Sequence, residues 1–225
     1  MNYSSHSFEA VVFDLDGLMF NTEDIYLQVG AEVLRRRNKL FTPELVDAMM
    51  GLRPAQAIAR MIEWHNLSDT VQQIIEAESR AIFTPLLDTQ LEPMPGLFPL
   101  LNAIESAGIP KAIATSSSRR FAEEVLGRFA LIERFTFSLT AEDVNHGKPN
   151  PEIYQIAAKR LGVTPTAMFV LEDSQTGLTS AVASGAYAVA VPSTHSARHD
   201  FSQAAWIAGG LNDPQIYALL SLPLP

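Results

Sequence analysis

Three short runs of apolar residues along the chain end abruptly in polar groups: "AVVFD" closes at Asp14, "KAIATS" at Thr115 and "AMFVLED" at Glu172 and Asp173. Continuous β-branched and apolar runs of this length fit parallel strands covered on both faces, whereas a half-exposed strand would alternate. Between them the pattern switches to helical spacing in "GLFPLLNAIESAG", "SRRFAEEVLGRFAL", "NPEIYQIAAKRLG" and "SQTGLTSAVASG". Gly108, Gly162 and Gly185 fall where left-handed helix ends belong. "AYAVAVP" reads as a further strand and "DPQIYALLSL" as a closing helix. The alternation predicts an α/β domain with a parallel sheet and helices on both faces.

The interval from Asn21 to Glu92 breaks this alternation. Its periodicity is helical throughout, in "EDIYLQVGAEVLRRRN", "TPELVDAMM", "RPAQAIARMIEWHN" and "DTVQQIIEAESRAIFTPLL", and Thr42-Pro43 supplies a cap with proline at the first helical position. A small helical domain, residues 21–92, is therefore expected as an insertion into a domain made of residues 1–20 and 93–225. The run Arg35-Arg36-Arg37 reads as a solvated helix face. Trp64 is expected in the core of the insert and His65 at its surface.

Composition narrows the partners. With 225 residues, 47% of them hydrophobic, the chain can bury a substantial core. A net charge of -9 lacks the basic footprint for nucleic acid or anionic lipid, and no run approaches the length of a membrane span. The expectation is a cytoplasmic protein that binds neither nucleic acid nor membrane; nothing in the pattern specifies an oligomeric state. There are no cysteines, which removes disulfides and thiolate chemistry. His195 and His199 lie four apart without a third ligand and read as a solvated turn.

Asp14, Thr115 and the Glu172-Asp173 pair all sit where parallel strands end, the side on which open α/β sheets bind ligands. Singly, each also suits a helix cap or strand terminator. Together with Asp16 they crowd carboxylates at one point. Mutual repulsion would raise their pKa values unless a divalent cation neutralised them, and an oxygen-only donor set favours Mg²⁺. A phosphate ester would complete the ligands. Asp14 and Asp16 start on the same side of an extended chain, so that one can attack while the other exchanges a proton. Lys148, before a helix, can offset charge on the nucleophile and a phosphoryl oxygen; Thr115 and the Ser116 N–H can hold another oxygen.

Asp14-Leu15-Asp16-Gly17, Thr115-Ser116 after an apolar strand, Lys148 in "GKPNP" and Glu172-Asp173-Ser174 resemble, in that order, the four motifs of the haloacid dehalogenase-like superfamily. The insert is similar to that superfamily's small helical cap domain. The resemblance implies a Rossmann-like core with Asp14 as the nucleophile that becomes an aspartyl-phosphate and Asp16 as general acid, then base. It further implies that Thr115 binds phosphate, that Lys148 stabilises charge, and that Mg²⁺ is held by Asp14, the Asp16 carbonyl, Asp173 and Glu172.

Asp16 separates phosphoryl transfer from the superfamily's dehalogenases and phosphonatases, which resemble this chain but lack that second aspartate. "FDLDGLMFNTE", "HGKPNPEIY" and "LEDSQTG" resemble both β-phosphoglucomutase and sugar-phosphate phosphatases. Tyr26 stands where the mutase has a linker histidine, and Gly51-Leu52-Arg53 places an arginine two residues after a glycine where the mutase has three. That segment resembles hexose- and hexitol-phosphate phosphatases. Arg53 either reaches substrate or caps a surface helix. The expectation is a Mg²⁺-dependent phosphatase of a small phosphorylated metabolite, with a mutase as the alternative and a catalytically silent binding protein as a remote one.

Overall fold

The computed structural model describes residues 8–49, 52, 54–74 and 80–224. The chain divides into two compact units, one running up to Phe20 and resuming at Pro93, the other spanning Asn21–Glu92. The first unit begins with β1 (Ala10–Phe13). The second then carries α1 (Thr22–Arg35), α2 (Pro43–Met49), α3 (Pro54–His65), the single turn α4 (Val71–Gln73) and α5 (Arg80–Gln90). Back in the first unit come α6 (Leu97–Ser106), β2 (Lys111–Ala114), α7 (Arg119–Arg128), β3 (Ser138–Leu139), α8 (Glu152–Leu161) and β4 (Met168–Glu172). The chain finishes with α9 (Gln175–Ala183), β5 (Tyr187–Ala190), β6 (Trp206–Ile207) and α10 (Pro214–Leu219).

Among the described residues these strands form one six-stranded sheet in the order β3-β2-β1-β4-β5-β6, every neighbour parallel. The chain steps from β1 outward to β2 and β3, then restarts on the other side of β1 with β4, β5 and β6. The strand order thus reverses between β1 and β4, which opens a crevice above their carboxyl ends. β1, β2 and β4 are buried along their whole length, as their unbroken apolar runs require. Period-two alternation places Val12, Ala112, Ala114, Val170, Ala188 and Ala190 in one cluster with Ile153, Tyr154, Ala157, Leu178 and Ala181 of α8 and α9.

Turns follow the local chemistry. Gly108, Gly162 and Gly185 take positive φ just after α6, α8 and α9. Gly17 does so too, at φ 75; its N–H bonds the Phe20 carbonyl at 3.0 Å, and an isolated bridge pairs Phe20 with Pro93. A residue with a Cβ would be strained at Gly17, where the chain turns immediately after Asp16.

In the helical unit, Asn21 clamps the two chain crossings. Its side chain donates to the Gln90 carbonyl at 3.0 Å and accepts from the Glu92 N–H at 2.7 Å. Arg35 and Arg36 share the exposed Glu32 as a solvated face should, but Arg37 departs from that expectation. It is partly buried, grips Asp69 with two bonds of 2.6 and 2.9 Å, and donates to the Val33 carbonyl. Trp64 is also placed differently from expectation, at 47% exposed. Met61 marks the buried face of α3, and it is His65, one turn on, that follows this face and bonds the Leu40 carbonyl, leaving the larger ring of Trp64 at the margin. No helix among the described residues is long and apolar enough to cross a membrane.

Candidate active site

The three strands that end in polar residues are the neighbours β2, β1 and β4, and their ends converge. Asp14 follows β1 and donates its N–H to the Leu171 carbonyl at 3.0 Å, which fixes its level beside the end of β4. Glu172 is the last residue of β4 and Asp173 the next. Asp14, Glu172 and Asp173 are all buried, and each offers a carboxylate oxygen within 4.8 Å of the others.

Lys148 reaches this cluster from the loop before α8. That loop is held by Glu152, whose carboxylate accepts the N–H groups of Asn145 and His146 at 2.9 and 2.8 Å. These backbone donors, at the helix start, hold the Glu152 carboxyl below its usual range. The three ammonium protons of Lys148 are all used: Nζ lies 2.5 Å from Asp14 Oδ1, 2.6 Å from Glu172 Oε1 and 2.8 Å from the Ala114 carbonyl. Burial opposes its charge, yet Asp14 and Glu172 outweigh burial and hold the ammonium well above its usual range.

Asp14 feels the opposite balance. Burial is the largest effect and raises its pKa; Lys148 lowers it, and Glu172 and Asp16 raise it again, leaving it pushed up to about 8. The single ammonium of Lys148 faces four carboxylates, those of Asp14, Asp16, Glu172 and Asp173, and cannot balance them all. A hard divalent cation with oxygen ligands fits such a donor set, and Asp14, Asp173 and Glu172 are the side chains able to hold it.

On the other side of Asp14, Asp16 is drawn toward the end of β2. Its Oδ2 accepts the hydroxyl of Thr115 at 3.2 Å and that of Ser117 at 2.7 Å, while the Ser117 N–H bonds Thr115 Oγ1 at 3.0 Å. Ser116, between them, is half-buried. The structure thus brings together Asp14, Asp16, Thr115, Lys148, Glu172 and Asp173; Arg53 lies outside the described residues. His199, by contrast, faces the N–H of Gln175 through Nδ1 at 3.3 Å.

Four contributors escaped the sequence reading. Ser117, Tyr154, whose hydroxyl bonds Glu172 Oε1, and Gly177, which lies against the Glu172 carboxyl, look like an ordinary loop serine, a core aromatic and a helix glycine, and Ala114 contributes only its carbonyl. The short spacing of Thr115-Ser116-Ser117 was the one available signal for Ser117. A cavity of about 280 Å³ between α7 and β3, lined by Arg119, Leu126, Ile132, Phe135 and Thr140 among others, includes none of the clustered carboxylates and gathers no comparable set of groups.

A parallel α/β sheet whose switch point carries a buried aspartate, a second aspartate two residues on and a buried lysine is an arrangement suited to hydrolase chemistry. The model of the haloacid dehalogenase-like hydrolase family matches residues 11–191, and the chain belongs to that family. It is 32% identical over 180 residues to a phosphorylated carbohydrates phosphatase of Thermotoga maritima, covering 79% of this chain and 82% of that one. It is 31% identical to the fructose-1-phosphate phosphatase of Escherichia coli, covering 82% and 96%. Among solved structures, CbbY from Rhodobacter sphaeroides in complex with phosphate superposes with a TM-score of 0.80 at 25% identity, covering 91% of this chain and 95% of that one.

Proposed function

We propose that the protein is a Mg²⁺-dependent phosphatase that hydrolyses a small phosphorylated metabolite, a sugar or sugar-alcohol phosphate, through an aspartyl-phosphate on Asp14. The observation that carries this reading is the pairing of Asp14, anchored to Lys148 at 2.5 Å, with Asp16 held two residues away by Thr115 and Ser117. The relatives named for phosphorylated carbohydrates and fructose 1-phosphate support the substrate class.

In the first step an Asp14 carboxylate oxygen bonds to phosphorus while the phosphorus–oxygen ester bond breaks, and Asp16, protonated, gives its proton to the departing alkoxide. In the second, Asp16, now a carboxylate, takes a proton from water as the water oxygen bonds to phosphorus. The bond to Asp14 breaks and inorganic phosphate leaves. Lys148 works against burial to favour the Asp14 carboxylate and balances charge on the transferring group. The hydroxyl of Thr115 and the N–H of Ser116 take a phosphoryl oxygen. Asp14, Asp173, Glu172 and the Asp16 carbonyl would hold Mg²⁺, which would supply charge neutralisation at the phosphoryl oxygens. In the helical insert Tyr26 stacks on Phe83 with centroids 5.0 Å apart; we assign no histidine-like acid–base role to this ring, in keeping with hydrolysis over isomerisation.

Phosphorus NMR of the protein with Mg²⁺ and a panel of hexose and hexitol phosphates, β-glucose 1-phosphate included, tests the reading. Inorganic phosphate as the dominant product from at least one substrate is expected. Rapid conversion of the 1-phosphate to the 6-phosphate with little free phosphate would establish a mutase instead, and inertness toward the whole panel would overturn the activity.

A further inference from the structure

Glu172 is held from three directions. Its Oε1 accepts both the Lys148 ammonium, at 2.6 Å, and the hydroxyl of Tyr154; its Oε2 accepts Ser174 Oγ at 3.3 Å. The position of the carboxylate also depends on an absence. A Cβ built on Gly177 in α9 would fall 2.0 to 2.1 Å from both oxygens and the carboxyl carbon of Glu172, so only glycine leaves room for the carboxylate where it lies. Tyr154, on α8, is completely buried, and its ring also faces Lys148 Nζ at 5.2 Å from the centroid.

Phenylalanine would fill the same volume in this core. A buried hydroxyl costs stability unless it is bonded, and this one donates to Glu172. The terminal torsion of a glutamate is broad and nearly two-fold, so a carboxylate bonded only to a flexible lysine could rotate and carry the ammonium with it. The phenol removes that freedom, and the bare backbone of Gly177 leaves the carboxylate room to stay where the phenol holds it.

We propose that Tyr154 is a positioning residue that, with the bare backbone of Gly177, fixes the Glu172 carboxylate so that Oε1 keeps Lys148 against Asp14 and Oε2 retains acceptor capacity toward the cation site. This rests on the phosphatase reading for its kinetic consequence but not for its structural one. Tyr154 touches no reacting atom; it acts through Glu172 and Lys148.

The test compares wild type, Tyr154→Phe and Gly177→Ala as full chains. The readouts are kcat and KM with the fastest phosphate ester of the panel, the thermal midpoint, and the ¹H–¹⁵N signal of the Lys148 ammonium, assigned by its loss in Lys148→Arg. Loss of one hydrogen bond to a charged group predicts a fall in kcat of about 10- to 100-fold in Tyr154→Phe, with KM within about threefold. The ammonium signal broadens or disappears. Gly177→Ala, which presses on the same carboxylate from the other side, gives the same signature if it folds. A purely packing role would lower the thermal midpoint while leaving kcat and the ammonium signal unchanged, and that result overturns the proposal. So does a Tyr154→Phe protein with kcat within twofold of wild type, or one that loses kcat with an intact ammonium signal. If wild type hydrolyses no phosphate ester, the proposed function fails and the ammonium signal alone decides for or against the positioning role.

Discussion

Replacing Asp14, the proposed nucleophile, should make the metal-free protein more stable. Asp14 is 7% exposed and its pKa is raised from 3.8 to about 8, with burial the leading cause. The sign follows from proton counting: between these two values the folded state holds a proton that the unfolded state has released, so Asp14 lowers stability progressively as pH rises from about 4 to about 8. At about 1.4 kcal/mol per unit, the interval from 3.8 to pH 7 sets an upper bound of about 4 kcal/mol on this penalty. Asp14→Asn removes it. The variant should therefore be more stable by up to about 4 kcal/mol at pH 7 without metal, equivalent to roughly 8–16 °C in a unit of this size. Trp206 fluorescence in a Trp64→Phe background reports the sheet domain, because the chain has two tryptophans, one in each unit. Melts in chelator at pH 7 should show the variant above the parent, and the gap should close by about pH 4. Mg²⁺ should then raise the parent more than the variant, because a neutral amide is the poorer ligand. A variant less stable than its parent in chelator at pH 7, or a gap that ignores pH, would refute the reasoning and show that the Lys148 pairing outweighs the burial of the clustered carboxylates.

The same Asp14→Asn protein should lose phosphatase turnover by about 10³-fold or more while remaining folded, measured as phosphate release; near-native turnover would exclude Asp14 as nucleophile. Activity should vanish in chelator and return with Mg²⁺, and Asp173→Ala should need more Mg²⁺ for half-maximal rate. Ca²⁺ should inhibit, since it accepts bidentate carboxylates and would draw Asp14 from in-line attack. Ser117→Ala removes the 2.7 Å bond to Asp16 and should lower kcat by about tenfold with the thermal midpoint little changed, as expected for one bond to a charged group. In the helical unit, Arg37→Ala strips Asp69 of its two bonds and should destabilise that unit by about 1–3 kcal/mol, seen in Trp64 fluorescence, without altering Mg²⁺ affinity.

The apolar runs that became β1, β2 and β4, and the helical spacing of α6 through α9, were legible because burial on both faces or on one helix face leaves a mark on consecutive residues. So was the position of Asp14, Thr115, Glu172 and Asp173 at strand ends. β3 and β6 were not, because two-residue strands such as Ser138–Leu139 and Trp206–Ile207 carry no measurable period. The partners inside the site were equally hidden. Ser117 meets Asp16 across 101 positions and Lys148 meets Asp14 across 134, and Tyr154 shows the same 3.6-residue spacing whether or not its hydroxyl finds Glu172. Sequence alone determined which elements form and which polar groups stand at their ends, since those depend on neighbours along the chain. Tertiary structure decided which of those groups touch, because the order β2-β1-β4 and the packing of α8 and α9 set distances that no local pattern encodes.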